Sequence, residues 1–157
     1  HTTSMLFFII ITALFFSRFL AISRIPLHLT AFIKGWNVPP FVILMSVLAL
    51  WFILGMIVVQ AAVFALTLPI IFPIIFNLGY DPVWFCVIAM KLNEIAGVTP
   101  PVGLNAYALK GVAGKDTTIE DVFVGVWPFV VCDLVVLALL MAFPQIVLFL
   151  PNSMLGK

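Results

Sequence analysis

The chain has 157 residues, of which 65% are hydrophobic and 8% are charged. Since about a quarter of the residues of a soluble domain are charged, this composition excludes a soluble fold and indicates an all-α integral membrane protein. A net charge of +1 excludes a nucleic-acid surface, and about 20 residues per crossing limit the single membrane domain, residues 1–157, to five or six crossings.

Residues 1–34 predict one membrane span followed by a basic loop. The apolar run from Thr3 to Phe16 is followed by three cations, Arg18, Arg24 and Lys34, without an intervening acid. Loops rich in Arg and Lys stay on the cytoplasmic side of the membrane. We therefore expect this loop to be cytoplasmic.

Residues 35–77 predict a scaffold helix and a broken hairpin. Gly35 to Tyr80 contains no Asp, Glu, Lys, Arg or His over 46 residues, which is long enough for two crossings. Pro40 suits the first turn of a helix. The apolar run that follows it, up to Gly55, is the expected scaffold helix.

Two prolines interrupt the second half of this region. Pro69 and Pro73 have no N–H, so the carbonyls of Ala65 and Pro69 lose their helical donors. Thr67 lies two residues before Pro69. We interpret this segment as one arm of a re-entrant hairpin that faces an unwound helix; two independent kinked spans are the alternative.

Residues 82–113 predict a helix that begins after a turn. Asp81-Pro82 is typical of a helix start. Lys91 and Glu94 are three residues apart and therefore share a face of this helix. An ion pair between them explains how both charges are tolerated in a membrane, while the alternative places Glu94 at an ion or substrate site.

A Thr-Pro-Pro stretch breaks the same helix. Pro100 and Pro101 cannot donate hydrogen bonds to the carbonyls of Ala96 and Gly97. A residue before proline avoids the α conformation, so we expect the helix to stop near Val98 and a second half-helix to start at Pro101. The alternative is a proline kink that bends a packed helix.

Such a break places two unlike helix ends close together. Free carbonyls and the Thr99 hydroxyl suit a cation, and free N–H groups at the start of the next helix suit an anion. The neutral oxygen ligands favour a hard monovalent cation over a transition metal. The candidate cation ligands are Gly55, Ala96, Gly97, Thr99 and Pro100. The candidate anion-binding residues are Pro101, Val102, Gly103, Leu104 and Asn105. Glu94 and Thr67 are further candidates.

Residues 117–151 predict the C-terminal helices. Thr117 with Glu120 forms a capping-box pattern. Trp127-Pro128 is expected to turn the chain into a last span, Phe129 to Leu150, which Pro144 kinks and Pro151 ends. Asp133 lies inside this span, where an acid must face protein or water, and Lys91 is a candidate partner.

Motifs for catalysis are missing from the sequence. It contains no His-Glu-x-x-His helix, no Gly-x-Gly-Asp motif and no phosphate-binding Gly-x-x-x-x-Gly-Lys-Ser/Thr loop. Cys86 and Cys132 lie in apolar runs without Cys-x-x-Cys spacing, as buried small hydrophobic residues do. We therefore expect a protein that is not an enzyme.

Five segments together resemble the large membrane subunit of the tripartite ATP-independent periplasmic (TRAP) transporters, the DctM family. They lie in the family's order between Gly55 and Pro151, whereas residues 1–54 agree only in hydropathy and layout. The segments are Thr67–Ile75, Leu78–Phe85, Asn93–Asn105, Trp127–Phe129 and the Leu150-Pro151 ending.

This resemblance implies a sodium-driven secondary transporter that moves as an elevator. It implies two inverted repeats, each with a re-entrant hairpin and a broken transmembrane helix, of which this chain would be the C-terminal one. The chain would thus be a piece of a longer protein, multi-pass in the bacterial inner membrane. Sodium would be the coupling ion, with no other cofactor.

The resemblance also implies partners. These are a small DctQ-like membrane subunit, a DctP-like periplasmic binding protein, an organic acid as substrate, and the lipid bilayer. Family members usually carry an acid a few residues after the glycine that corresponds to Gly55; here Val59 holds that place, with Gln60 beside it. A dicarboxylate or citrate carrier without a binding protein, and a non-transporting membrane scaffold subunit, are the alternatives.

Overall fold

The computed structural model describes residues 2–35, 38–114 and 117–155, and this described part is helical without a strand. The prediction of an all-helical protein is confirmed. Three helices, α3, α4 and α7, are long and apolar enough to cross a membrane. The helices are α1 Thr2–Ser23, α2 Ile25–Lys34, α3 Pro40–Ile57, α4 Gln60–Asn77, α5 Pro82–Val98, α6 Leu104–Val112, α7 Ile119–Ala142 and α8 Pro144–Leu155.

The N-terminal cations do not lie in a loop. Arg18 is inside α1, and residues 25–34 form α2. Between the two helices Arg24 takes a positive φ of 57°. The prediction of a basic loop is therefore wrong, because the apolar residues around these cations continue the helical pattern and Pro26 sits in the first turn of α2, where it is tolerated.

Helices α3 and α4 form a hairpin. The Trp51 indole donates to the Thr67 hydroxyl at 2.8 Å, although the two residues are 16 positions apart. On one continuous helix they would be separated by about 24 Å. The chain reverses at Val58 and Val59, which have extended backbones with ψ of 147° and 128°. We call these two residues the hairpin tip.

The break predicted near Thr67 and Pro69 is wrong, because α4 is continuous through both Pro69 and Pro73. The Thr67 hydroxyl donates to the Val63 carbonyl at 2.6 Å within the same helix. Ile71, on the turn between the prolines, is buried in the core. Packing of this kind tolerates a helix in which single N–H groups are missing.

The core lies where α3 and α4 pack on α5. Trp51 is fully buried, with its ring centroid 5.3 Å from that of Phe64 and 5.4 Å from that of Phe85. Such aromatic pairs stabilise beyond the area they bury. On the other side of α5, the Trp84 indole donates to the Leu140 carbonyl of α7 at 2.9 Å. Helix α5 is therefore held on both sides.

The Asp81-Pro82 start of α5 is confirmed, since the Asp81 carboxylate accepts from the backbone N–H of Val83 at 2.8 Å. The capping box of α7 is formed by Thr118 and Asp121. The prediction of Thr117 and Glu120 is therefore displaced by one residue.

The last helices also differ from the prediction. Helix α7 runs through Pro128 without a turn, and the break falls at Phe143. Pro144 then begins α8, which is where proline is favoured, and Pro151 lies inside that helix rather than ending the span. A single span from Phe129 to Leu150 is therefore wrong.

Candidate functional site

The Thr-Pro-Pro stretch ends α5 at Val98, as predicted. Thr99 is extended, with φ of −92° and ψ of 138°. The next helix does not start at Pro101, however; α6 begins at Leu104, with Gly103 as its N-cap in the left-handed region at φ 58°. Pro101 lies in the turn that precedes this N-cap. The chain enters α6 only after the left-handed residue, and glycine adopts that conformation without strain.

This shift adds Asn105 to the residues whose N–H groups have no helical acceptor. The Ala106 N–H donates to the Gly103 carbonyl at 2.8 Å, so Leu104 and Asn105 carry the two free N–H groups of α6. Leu104 belongs to the predicted set from Val102 to Leu104, and binding by that set stays a prediction.

At the end of α5 the carbonyls are not equally free. The Ala96 carbonyl, predicted to be free, accepts from the Thr99 N–H at 3.2 Å. The Gly97 carbonyl faces Pro100 and Pro101 along the chain, and neither can donate. The Thr99 hydroxyl donates to the Ile95 carbonyl at 2.6 Å, which leaves its oxygen lone pairs available.

The first residue of α4, directly after the hairpin tip, contacts α5 close to this break. The Gln60 side-chain amide donates to the Asn93 backbone carbonyl at 2.9 Å. A Cβ placed on Gly97 would lie 2.6 Å from Gln60 Nε2 and 2.9 Å from Asn105 Nδ2. The side chains of α4 and α6 therefore both lie against the last turn of α5, in space that exists because residue 97 has no side chain.

A second glycine brings α3 onto the same turn. A Cβ on Gly55 would lie 2.3 Å from Asn93 Oδ1 and 2.9 Å from Ala96 Cβ. The Asn93 side chain is 1% exposed, and among the described residues neither its Nδ2 nor its Oδ1 has a hydrogen-bond partner. Leaving a buried polar group unpaired costs about 1–3 kcal/mol, so the Asn93 amide calls for a partner such as a bound ion or water.

We call these residues the tip site: Gly55, Gln60, Asn93, Gly97 and Asn105. Of the predicted residues, the structure brings Gly55, Ala96, Gly97 and Asn105 together, with Thr99 next along the chain. Gly103 lies between Thr99 and α7, since a Cβ on it would be 3.2 Å from the Thr99 carbonyl oxygen and 3.0 Å from the Phe123 ring. Pro100 and Pro101 are exposed in the turn. Binding of an ion or a substrate by any of the predicted site residues stays a prediction.

Asn93 was missed as a candidate, and Gln60 was noted only as the neighbour of Val59, where family members usually carry an acid. The signal for Asn93 was present, since it lies four residues before Gly97 and therefore on the same helical face. Gln60 has no comparable signal, because its contact with α5 joins positions 33 residues apart.

Thr67 does not join the tip site. Its hydroxyl accepts from Trp51 and donates to Val63, so it serves the packing of the hairpin. Glu94 is 65% exposed and its carboxylate lies 3.7 Å from Lys91 Nζ. The ion pair predicted between them is present, but Asp133 of α7 is the closer partner of Lys91, at 2.7 Å.

The tip site is electrically neutral, and its side chains offer both the Asn93 oxygen and the N–H donors of Gln60 and Asn105. It combines backbone carbonyls with side-chain amides, and the Thr99 hydroxyl is adjacent. The described residues contain no group of three or more His, Cys, Asp or Glu side chains that could hold a metal ion. Neutral oxygen ligands suit a hard monovalent cation. Interrupted helices that meet in apolar surroundings are typical of secondary transporters, whose ion and substrate sites lie at such breaks.

Comparison with known proteins identifies the family. Residues 1–146 match the model of the tripartite ATP-independent periplasmic transporter, DctM component. The chain belongs to this family.

Named relatives agree with that assignment. The chain is 32% identical over 152 residues to the C4-dicarboxylate TRAP transporter large permease protein DctM of Pseudomonas aeruginosa, covering 96% of this chain and 35% of the relative. It is 31% identical over 157 residues to the sialic acid TRAP transporter large permease protein SiaM of Vibrio cholerae, covering 99% and 36%. The isethionate TRAP transporter permease protein DctMQ of Oleidesulfovibrio alaskensis is 30% identical over 148 residues, covering 94% and 23%. The chain thus spans about a third or less of these relatives.

Proposed function

We propose that the chain is the C-terminal part of the large transmembrane subunit of a sodium-coupled transporter that imports an organic acid. Membership of the DctM family supports transport. The names of three relatives refer to C4-dicarboxylate, sialic acid and isethionate. These compounds differ in size but share an anionic group, which supports an organic anion as the substrate class.

The observation that carries the proposal is the meeting of the hairpin tip with the break after α5. Gln60 of α4 bonds to the carbonyl of Asn93 at 2.9 Å, and Gly55 of α3 packs on the same residue. The cation would bind here to the Gly97 carbonyl, the Thr99 hydroxyl and Asn93 Oδ1. The unpaired Asn93 side chain supports this assignment, because a cation would supply the partner it lacks.

The substrate anion would bind at the start of α6. The N–H groups of Leu104 and Asn105 have no helical acceptor, and a helix N-terminus carries a partial positive charge. The Asn105 amide adds a donor beside Gly97. Cation and anion would thus bind on opposite sides of one break, which would couple their binding electrostatically.

The larger architecture is part of the same proposal. The hairpin α3–α4 would be re-entrant, and the chain would be one of two inverted repeats that move as an elevator in the bacterial inner membrane. A small membrane subunit and a periplasmic binding protein would complete the transporter. The family description, a tripartite periplasmic transporter, supports three such parts.

The test uses the complete transporter, reconstituted in proteoliposomes with its binding protein. Thr99→Ala should raise the sodium concentration for half-maximal uptake about tenfold, the factor that corresponds to about 1.4 kcal/mol of lost cation binding. Capture of substrate by the binding protein should not change.

Thr67→Ala is the matched control, since Thr67 also lies two residues before a proline but bonds to Trp51. It should lower thermal stability and leave the sodium dependence unchanged. A folded Thr99→Ala transporter with unaltered sodium dependence would show that the cation binds elsewhere.

A further inference from the structure

We infer that Gln60 is a positioning residue that holds the hairpin tip on the last turn of α5 and thereby sets the affinity of the site for its coupling cation. The inference rests on the proposed function and deepens it. Gln60 would act through the position of the oxygen ligands, not as a ligand itself.

The first observation is the contact. Gln60 begins α4 directly after the extended residues Val58 and Val59. From there its amide reaches across to the Asn93 carbonyl of α5 at 2.9 Å. A carbonyl has two lone pairs, so Asn93 can accept from its own helix and from Gln60 at once.

The second observation concerns the space that the Gln60 side chain occupies. A Cβ on Gly97 would lie 2.6 Å from Gln60 Nε2, well inside van der Waals contact. The room for this amide is therefore provided by α5 itself. The contact thus depends on both the donor on α4 and the missing side chain on α5.

The contact has a consequence for the cation ligands. With the tip held down, α3 covers Asn93, which is 1% exposed and packed under Gly55. Asn93 and Gly97 both belong to α5, so that helix sets the spacing of their backbones. The hairpin holds the Asn93 side chain, since Gly55 of α3 packs on Oδ1 and thereby fixes this oxygen relative to the Gly97 carbonyl. If the tip moves away, a smaller fraction of the transporters has the arrangement that binds the cation. The apparent affinity for the cation then falls in proportion to the fraction of binding-competent transporters.

The experiment compares Gln60→Ala and Gln60→Met in the complete transporter. Methionine has nearly the same length as glutamine and adds no charge beside the cation, but its thioether has no N–H to donate to a carbonyl. Both variants should raise the sodium concentration for half-maximal uptake about threefold to tenfold, as expected for the loss of one hydrogen bond. The maximal rate at saturating sodium should be retained.

Gln145 provides matched controls, because it is an exposed glutamine near the start of another helix, α8. Gln145→Ala and Gln145→Met should leave the sodium dependence unchanged. A shift of equal size in these controls would overturn the inference, because the effect would then not depend on the contact with Asn93.

Hydrogen exchange of residues 92–99 in the purified transporter measures the contact without transport. Exchange should be faster in both Gln60 variants than in the wild type and unchanged in the Gln145 variants. Unchanged exchange would overturn the inference, and so would faster exchange with an unaltered sodium dependence. A wild-type transporter without sodium-dependent uptake would refute the proposed function instead, while the exchange result would still decide whether Gln60 holds the tip.

Discussion

Two segments of this protein have a threonine two residues before a proline, yet they fold differently. Thr67-Leu68-Pro69 lies inside α4, which continues for eight residues beyond Pro69, to Asn77. Thr99-Pro100-Pro101 follows the end of α5, and the chain stays non-helical up to Leu104. The spacing of threonine and proline alone therefore does not break a helix.

The difference follows from how the prolines are grouped. Pro69 and Pro73 are four residues apart, so each removes one donor from an otherwise intact turn. Pro100 and Pro101 are adjacent, and the second pushes the first out of the α conformation. Gly103 at φ 58° then directs the chain into α6. Adjacent prolines end the helix, whereas spaced ones are accommodated by packing.

The two threonines differ for a related reason. Thr67 receives a hydrogen bond from the buried Trp51 indole, so its oxygen is used in the core. Thr99 donates to Ile95 in its own helix, and its oxygen remains able to accept. A hydroxyl beside a broken helix can bind a ligand, while the same hydroxyl in a continuous helix serves packing.

The largest expected effect tests the grouping of the prolines directly. Pro100→Ala with Pro101→Ala restores two N–H donors and lets the helix continue, so sodium-dependent uptake by the complete transporter should be lost. Pro69→Ala with Pro73→Ala restores the same number of donors in α4 and should retain uptake. Uptake by proteoliposomes, normalised to folded protein, measures both variants. Equal loss in the two double variants would show that transport does not depend specifically on the break after α5.

A second prediction concerns how the two helices are held. Helix α4 receives the indole hydrogen bond of Trp51, whereas α5 combines the indole hydrogen bond of Trp84 with the ion pair of Lys91 and Asp133. Lys91→Met should leave Asp133 unpaired and reduce the yield of folded protein and its melting temperature. The cost should be below the about 3–5 kcal/mol of a fully buried pair, because the side chains of Lys91 and Asp133 are 26% and 37% exposed.

Adding Asp133→Asn to Lys91→Met should restore most of the loss. Adding Glu94→Gln should restore less, because Glu94 is the more distant partner at 3.7 Å and is 65% exposed. Thermal melting followed by size-exclusion chromatography gives both comparisons. Better rescue by Glu94→Gln would show that the pair within α5 is the stronger one.

The smallest expected effect concerns the contact between the hairpin and the broken helix. Gly55→Ala places a Cβ 2.9 Å from Ala96 Cβ, which cannot move without its backbone. Overpacking of this kind costs about 1–3 kcal/mol, and the melting temperature should fall. Adding Ala96→Gly removes this contact but not the one with Asn93 Oδ1 at 2.3 Å. It should therefore recover part of the lost melting temperature.

Gly125→Ala in α7 is the control, because a Cβ there would meet nothing within 4 Å. It should be neutral or slightly stabilising, since alanine is the better helix former. If Gly55→Ala is equally harmless, α3 does not pack on α5 as closely as described.

Local chemistry explains which elements were predictable. Pro100 and Pro101 ended α5 at Val98, and Asp81 capped its start, because a missing N–H and a capping carboxylate act within a few residues. The same kind of reasoning predicted a break near Thr67 that is absent and displaced the cap of α7 from Thr118 to Thr117. Local signals compete with packing, and in α4 packing prevailed.

The sequence by itself determined that this is a helical membrane protein of the DctM family with a broken helix after Val98, because composition and adjacent prolines act without reference to the rest of the chain. The tertiary structure alone decided that the hairpin reverses at Val58 and Val59 and that Gln60 bonds to Asn93. It also decided that Lys91, a predicted candidate partner of both acids, lies nearer Asp133 than Glu94. Val58 and Val59 carry no glycine or proline signal. Their extended backbone depends on the packing of α3 and α4 against α5, which joins residues far apart in sequence.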